Sequence, residues 1–251
     1  MRGWVGVSPP TVFVASNLPT NYPFKLQKPA TVNATVRDTA ETFIFDSGIG
    51  DDETNADVLE TARQYDADYV IAKDYLHDQQ ATTESVREFV ELHDQTHPST
   101  PMLPLQPPHA AHYRDLPQSL RDAFDVVCLG GMATEDISDT QAIRWIEDAA
   151  RTIPSSVHIH ALGVGGGIEF VRRVAGRGLV DSIDCSTPEL AATFGAVLDD
   201  ELRQREIRVY SGEGARHRNV PLAALNSWQL ADVWEREAES TTEQTTLEVT
   251  A

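Results

Sequence analysis

Asp46, Asp74, Gln106, Gly130–Gly131, Gly163 and Asp184 each stand where a run of apolar, often β-branched residues stops. If those runs are parallel strands, their ends converge on one face, the face where α/β barrels keep their chemistry. Three carboxylates, one amide and exposed backbone groups suit a polar heterocycle and a reacting carbon. One carboxylate can receive a pair of N–H donors such as a guanine-like edge presents. Gln106 can donate to a carbonyl, and the Gly130–Gly131 backbone can offer N–H to an oxo group. An aspartate is then left over for chemistry, and Asp184 is the candidate nucleophile. Asp46 and Asp74 also fit turn or helix-cap roles. The run Gly163–Gly167 fits a phosphate cradle as well as a tight turn.

The elements that would position these residues alternate. Strands are expected at 42–46, 68–74, 102–106, 125–130, 157–163 and 180–184, with another at 206–210 and one near the N-terminus among 4–7, 11–15 and 31–36. Helical periodicity lies between them: 54–66; 82–97, capped by Thr82 or Thr83; 116–124; 139–153; 168–175; and 188–205, with Pro188 in its first turn. Strand–helix alternation implies parallel pairing, and about eight strands favour a closed (β/α)8 barrel of TIM type over an open sheet. The chain reads as an α/β protein with one domain over 1–251: a core at 40–210, a C-terminal helix at 221–238 and a tail at 239–251 without stable structure.

Composition bounds the class. Asp and Glu number 39 against 20 Lys and Arg, a formal charge of -19, and the only lysines are Lys25, Lys28 and Lys73. An acidic, Lys-poor surface suits concentrated salt, where the Debye length shrinks to about 3 Å at 1 M and self-repulsion is screened. An ordinary acidic cytosolic protein is the alternative. Such a charge weighs against nucleic acid at low salt, but less where counterion release no longer dominates. Cys128 and Cys185 form no CxxC pair, so neither a zinc site nor a disulfide framework is expected. His158 and His160 alternate about Ile159 and suit structural or pocket-lining places better than metal ligation, and His217 has no compelled role. No segment has the length and apolarity of a leader or membrane span, so an intracellular, cytoplasmic location away from the membrane is expected.

Taken together, the motifs DSGI (46–49), ADYVIAKDY (67–75), PLQPP (104–108), LGGMATED (129–136), LGVGGG (162–167) and GLVDSIDC (178–185) resemble the tRNA-guanine transglycosylase superfamily. That family carries DSGG, ADIVMAFDE, GIVQG, GGLAVGE and MGVG…GVDMFDC in the same order, and the resemblance covers about residues 40 to 190. It implies that Asp184 is the nucleophile and Asp46 the general acid/base. It places Asp74 and Gln106 on the base, Gly131 as a backbone donor and Leu162 as an apolar wall. Ser47, Gly130, Met132 and Gly163 complete the implied substrate-binding set. No cofactor is implied.

Here the family's aromatic-bearing stretch after DSG is replaced by Gly50-Asp51-Asp52, the Arg-containing stretch after the nucleophile by Ser186-Thr187-Pro188-Glu189, and the three-Cys, one-His zinc subdomain is missing. In these losses the chain is similar to the shortened relatives in phages and archaeal viruses that place 7-deazaguanine into DNA. The expected partners are therefore DNA, with tRNA as the alternative, and a free 7-deazaguanine base. A second copy or a partner subunit is left open. A non-catalytic purine-binding barrel and a phosphosugar barrel enzyme are the competing readings from other classes.

Overall fold

A computed structural model describes residues 11–48, 52–93, 96–132, 134, 137–165, 167–207 and 219–249, with side chains only to 240 in the last stretch. Eight parallel strands close into a barrel in sequence order: β1 (Thr11–Ala15), β2 (Phe24–Gln27), β3 (Thr42–Phe45), β4 (Tyr69–Ile71), β5 (Thr100–Leu105), β6 (Val126–Leu129), β7 (His158–Ala161) and β8 (Ser182–Cys185). β1 pairs with β8, which seals the ring with Phe13 opposite Asp184.

Helices fill the crossovers: α1 (Ala34–Arg37), α2 (Asn55–Gln64), α3 (Gln79–Leu92), α4 (His109–Asp115), α5 (Gln118–Arg121), α6 (Asp139–Thr152), α7 (Ile168–Val174) and α8 (Thr187–Thr193). Their starts follow cap chemistry. Thr54 and Asp57 close a capping box on α2, and Asp78 and Ser138 cap α3 and α6 through their side-chain oxygens. After α8 an antiparallel pair, β9 (Ala196–Leu198) with β10 (Gln204–Glu206), leads to a closing helix α9 (Val220–Val249) that packs on α8. No helix among the described residues is long and apolar enough to cross a membrane.

The two-residue period of each strand sorts the core. Phe13, Leu26, Ile44, Ile71, Met102, Val126 and Cys128 form one buried cluster inside the barrel. Their strand neighbours Val12, Phe43, Phe45, Val70, Leu103, Leu105, Val127, Leu129, Ala161 and Ile183 pack outward against the helices.

Several expectations need correcting. The eighth strand is Phe24–Gln27, and the stretch at 206–210 adds none to the barrel: Glu206 ends the antiparallel pair, and residues from 208 lie outside the described ones. Phe24–Gln27 hides in the sequence because buried polar groups carry it. Lys25 is fully buried with its ammonium on Thr20 O and the Thr39 hydroxyl, and Gln27 Nε2 donates to Ser16 O and Thr31 O. The β-branched stretch 31–36 becomes a turn and helix α1, because Asn33 accepts the Val36 N–H as an N-cap. The helix expected at 188–205 stops at Thr193, where Gly195 turns the chain at a φ of 71° into β9. α3 starts at Gln79 rather than after Thr82, and α4 was not foreseen between its flanking prolines. The last helix reaches Val249, well past 238. The candidate strand at 4–7 lies outside the described residues.

Candidate active site at the mouth of the barrel

Strand parity delivers the site. In β3, β5, β6 and β7 the last residue points outward, so the next one points in: Asp46, Gln106, Gly130 and Leu162 respectively. Asp184 sits inward within β8, level with Phe13. Asp74 follows β4 by three residues, fixed at the preceding Lys73, whose N–H bonds to the Asn55 side-chain oxygen. A cavity of about 230 Å³ results, lined by Asp46, Asp74, Leu76, Gly130, Gly131, Thr134, Leu162, Gly163 and Asp184. That lies just below the usual range for small-ligand pockets, about 300–1,000 Å³. Cys128, on the inner face of β6, is fully buried, and Asp46, Asp184 and Asp74 all add to the burial that pushes its thiol upward.

The three acids differ in environment. Burial first, then the neighbouring charges of Asp74 and Asp184, push the Asp46 carboxyl up to about 7 against the pull of the Gly48 N–H, 3.3 Å from Oδ1, and of the Lys28 charge. Burial likewise raises Asp74 to about 6, offset by its own backbone N–H, by Lys73 and by the Gln106 amide. Asp184 is held by donors: its Oδ1 accepts the Gly163 N–H at 2.9 Å and lies 3.3 Å from His160 Nε2. Its Oδ2 has no hydrogen-bond partner among the described residues.

Gln106 does not line the cavity. Its Nε2 donates to Asp74 Oδ2 at 2.5 Å and its Oε1 accepts the His77 N–H at 2.8 Å, so the amide braces Asp74 from behind. Gly130 and Gly131 lie over it. A Cβ on Gly131, where φ is 69°, would meet Gln106 Oε1 at 2.8 Å and Pro107 Cδ at 2.9 Å. Glycine is required there by both conformation and space.

Around this brace stand histidines the sequence did not single out. His112 Nδ1 accepts the Gln106 backbone N–H at 2.9 Å. His109 Nε2 meets Gly130 O at 2.8 Å and His77 Nε2 meets Gly131 O at 3.2 Å. Burial holds the His109 and His112 imidazoles down to about 4, so both are neutral near pH 7.

Two expected site residues point elsewhere. Ser47 follows the inward Asp46, so parity turns it into the wall, where its hydroxyl donates to Ala72 O at 3.3 Å. Met132 is buried in the layer between sheet and helices. Conversely, Leu76, Thr134 and His160 belong to the site. Nothing in the periodicity marks Leu76 or Thr134, since both sit in loops. His160 was legible as an inward strand position, two residues before Leu162. His158 also faces inward but at the far end of β7, with Nδ1 3.8 Å from Asp181. Position 217 lies outside the described residues. Among the described residues no three of His, Cys, Asp and Glu gather as metal ligands.

A second cavity of about 490 Å³ opens beside the first on the same end of the barrel, between β1, β8 and α8. Ala15, Asn17, Leu18, Ser186, Glu189 and Asn219 are among its lining residues, and Glu189 takes the Asn17 N–H on both oxygens. Neither cavity has a lysine or arginine among its described lining residues. In comparisons with known proteins, the chain matches no family model and no curated protein.

Proposed function

We propose that the protein is a base-exchange transglycosylase that replaces guanine in DNA with a 7-deazaguanine, such as 7-cyano-7-deazaguanine, through a covalent Asp184–sugar ester. The observation that carries this reading is the division of labour among three aspartates on one small cavity. Asp184 has two donors on Oδ1 and, among the described residues, none on Oδ2. Asp46 is tuned by burial to about 7, where a group both gives and takes a proton at neutral pH. Asp74, fixed by Gln106, faces the base edge.

The steps follow. Asp184 Oδ2 attacks C1′ as the bond from C1′ to the purine nitrogen breaks, its electron pair leaving with the purine. Asp46, protonated, supplies the proton that the departing base needs. An oxocarbenium-like transition state is stabilised by the carboxylate beneath it, as in retaining glycosidases. The incoming deazaguanine gives its ring proton to Asp46 and attacks C1′, returning the ester electrons to Asp184. The Asp74 carboxylate accepts a pair of N–H donors from either base. Leu76 and Leu162 line the same cavity as apolar surfaces for the base. Because chemistry occurs inside a cavity, a duplex substrate has its target nucleotide flipped out first.

The test offers the protein guanine-containing DNA and tRNA side by side with labelled 7-deazaguanine bases, then digests each to nucleosides. Label is expected in DNA with the wild type and in neither with Asp184→Asn. Label in tRNA alone makes the protein a tRNA-guanine transglycosylase. No lysine or arginine is among the described residues that line either cavity, which favours one second reading, a purine-binding barrel without catalysis, because phosphate contacts ordinarily supply much of the affinity for a strand. Tight binding of the free base with no label in either polymer would establish it.

A further inference from the structure

We propose that His160, set by Ser182, is a positioning residue that selects Oδ2 of Asp184 as the attacking oxygen and then stabilises the carboxylate as it leaves. This rests on the base-exchange reading of the same site.

His160, Ser182 and Asp184 are all buried on the inner face of β7 and β8, with His160 and Ser182 in register. His160 Nδ1 lies 2.7 Å from Ser182 Oγ, Nε2 lies 3.3 Å from Asp184 Oδ1, and the ring edge packs on Phe13. A carboxylate only accepts, so the Nε2 proton points at Oδ1, while Nδ1 is held by the Ser182 hydroxyl. Ser182 thereby fixes the orientation of the ring. With the Gly163 N–H on the same oxygen, Oδ1 carries two donors and Oδ2 none among the described residues.

The consequence is chemical. In the first displacement Oδ2 forms the ester bond to C1′ and the purine departs with the electron pair. Oδ1 becomes the ester carbonyl, still facing both donors. In the second, the incoming base nitrogen bonds to C1′, the C1′–Oδ2 bond breaks, and its pair restores the carboxylate. Hydrogen bonds to a charged oxygen are about twice as strong as those to a neutral one. The two donors therefore stabilise the free carboxylate more than the ester, and they keep the ester from becoming a dead end. Removing His160 should make Asp184 a better trap and a worse leaving group.

The experiment compares wild type, His160→Phe and His160→Gln in label exchange on guanine-containing DNA, and measures the protein–DNA ester on denaturing gels. Phe keeps a ring against Phe13 without the N–H, and Gln restores a donor. Loss of one such donor typically costs about 10²-fold in rate. Exchange by His160→Phe is expected to fall about 10²-fold while the ester fraction rises, with His160→Gln recovering at least about tenfold. Ester and exchange falling together, or Gln no better than Phe, would overturn the proposal. Should the Phe variant not fold, Ser182→Ala must show the same opposed changes at smaller size, and their absence counts equally against it. A wild type that gives neither exchange nor ester refutes the base-exchange function itself, and this role with it.

Discussion

Asp46 is held in the folded protein at a cost that substitution should remove. Its carboxyl rises from 3.8 to about 7 on folding, through burial first and the charges of Asp74 and Asp184 next. Each unit is worth about 1.4 kcal/mol, so full ionisation in the folded state costs about 4 kcal/mol. Asp46 is only partly buried, open to the cavity, and screening roughly halves this to about 2 kcal/mol. For an acid raised on folding, the folded state binds the extra proton between pH 4 and 7. The stability contributed by this group therefore falls as pH rises across that window and is flat above it. Asp46→Asn keeps the shape and an oxygen for the Gly48 N–H but has nothing to ionise. Relative to wild type it should be nearly neutral at pH 4 and more stable by about 2 kcal/mol at pH 8. At about 2–4 °C per kcal/mol for a chain of this size, that is a gain of about 4–8 °C in Tm. Thermal unfolding followed by circular dichroism at both pH values and constant ionic strength measures it. A Tm difference between the two proteins that is the same at pH 4 and pH 8 would refute the reasoning. The same variant should lose base exchange, the usual trade between stability and a poised catalytic group.

Other consequences are equally specific. Exchange by the wild type should decline as pH rises through about 7, as Asp46 loses the proton it must give, and a rate profile flat from pH 6 to 9 would exclude that role. Gly131→Ala, forced into positive φ against Gln106 and Pro107, should cost about 1–3 kcal/mol in denaturant unfolding and weaken purine binding in calorimetry. Asn55→Ala removes the amide whose Nδ2 bonds Ser85 and Glu88 and whose oxygen holds the Lys73 N–H; unfolding should show a loss of about 2–3 kcal/mol. The His109 and His112 rings should stay neutral down to about pH 4 in NMR titrations, so their share of stability is complete above about 6.5 and lost as pH falls toward 4.

The sequence shows most of the barrel and half of the site for one reason, the strand period. Where a strand is apolar on both faces, as VVCL and YVI are, its run and its end are both visible, and the next inward residue is a site candidate. Asp46 and Gly130 are legible that way, while Leu162 and Asp184 follow from the same parity on strands whose inner faces are polar. The same rule, applied one residue further, already places Ser47 in the wall, and motif matching alone would have kept it in the pocket. β2 was invisible because its outward residues Lys25 and Gln27 are buried by hydrogen bonds rather than by apolarity. The loops obey no period. Leu76 and the bracing histidines reach the site through the chain's path after β4 and β5, which only three dimensions reveal. Gln106 shows the limit most clearly. An amide can serve a base at both ends, yet here both ends of that amide serve the protein, one on Asp74 and the other on the His77 N–H. The chemistry of a residue type sets what it can do, and its neighbours decide whether any of that capacity is left for a ligand. Asp74 gains what Gln106 gives up, a fixed carboxylate facing the cavity.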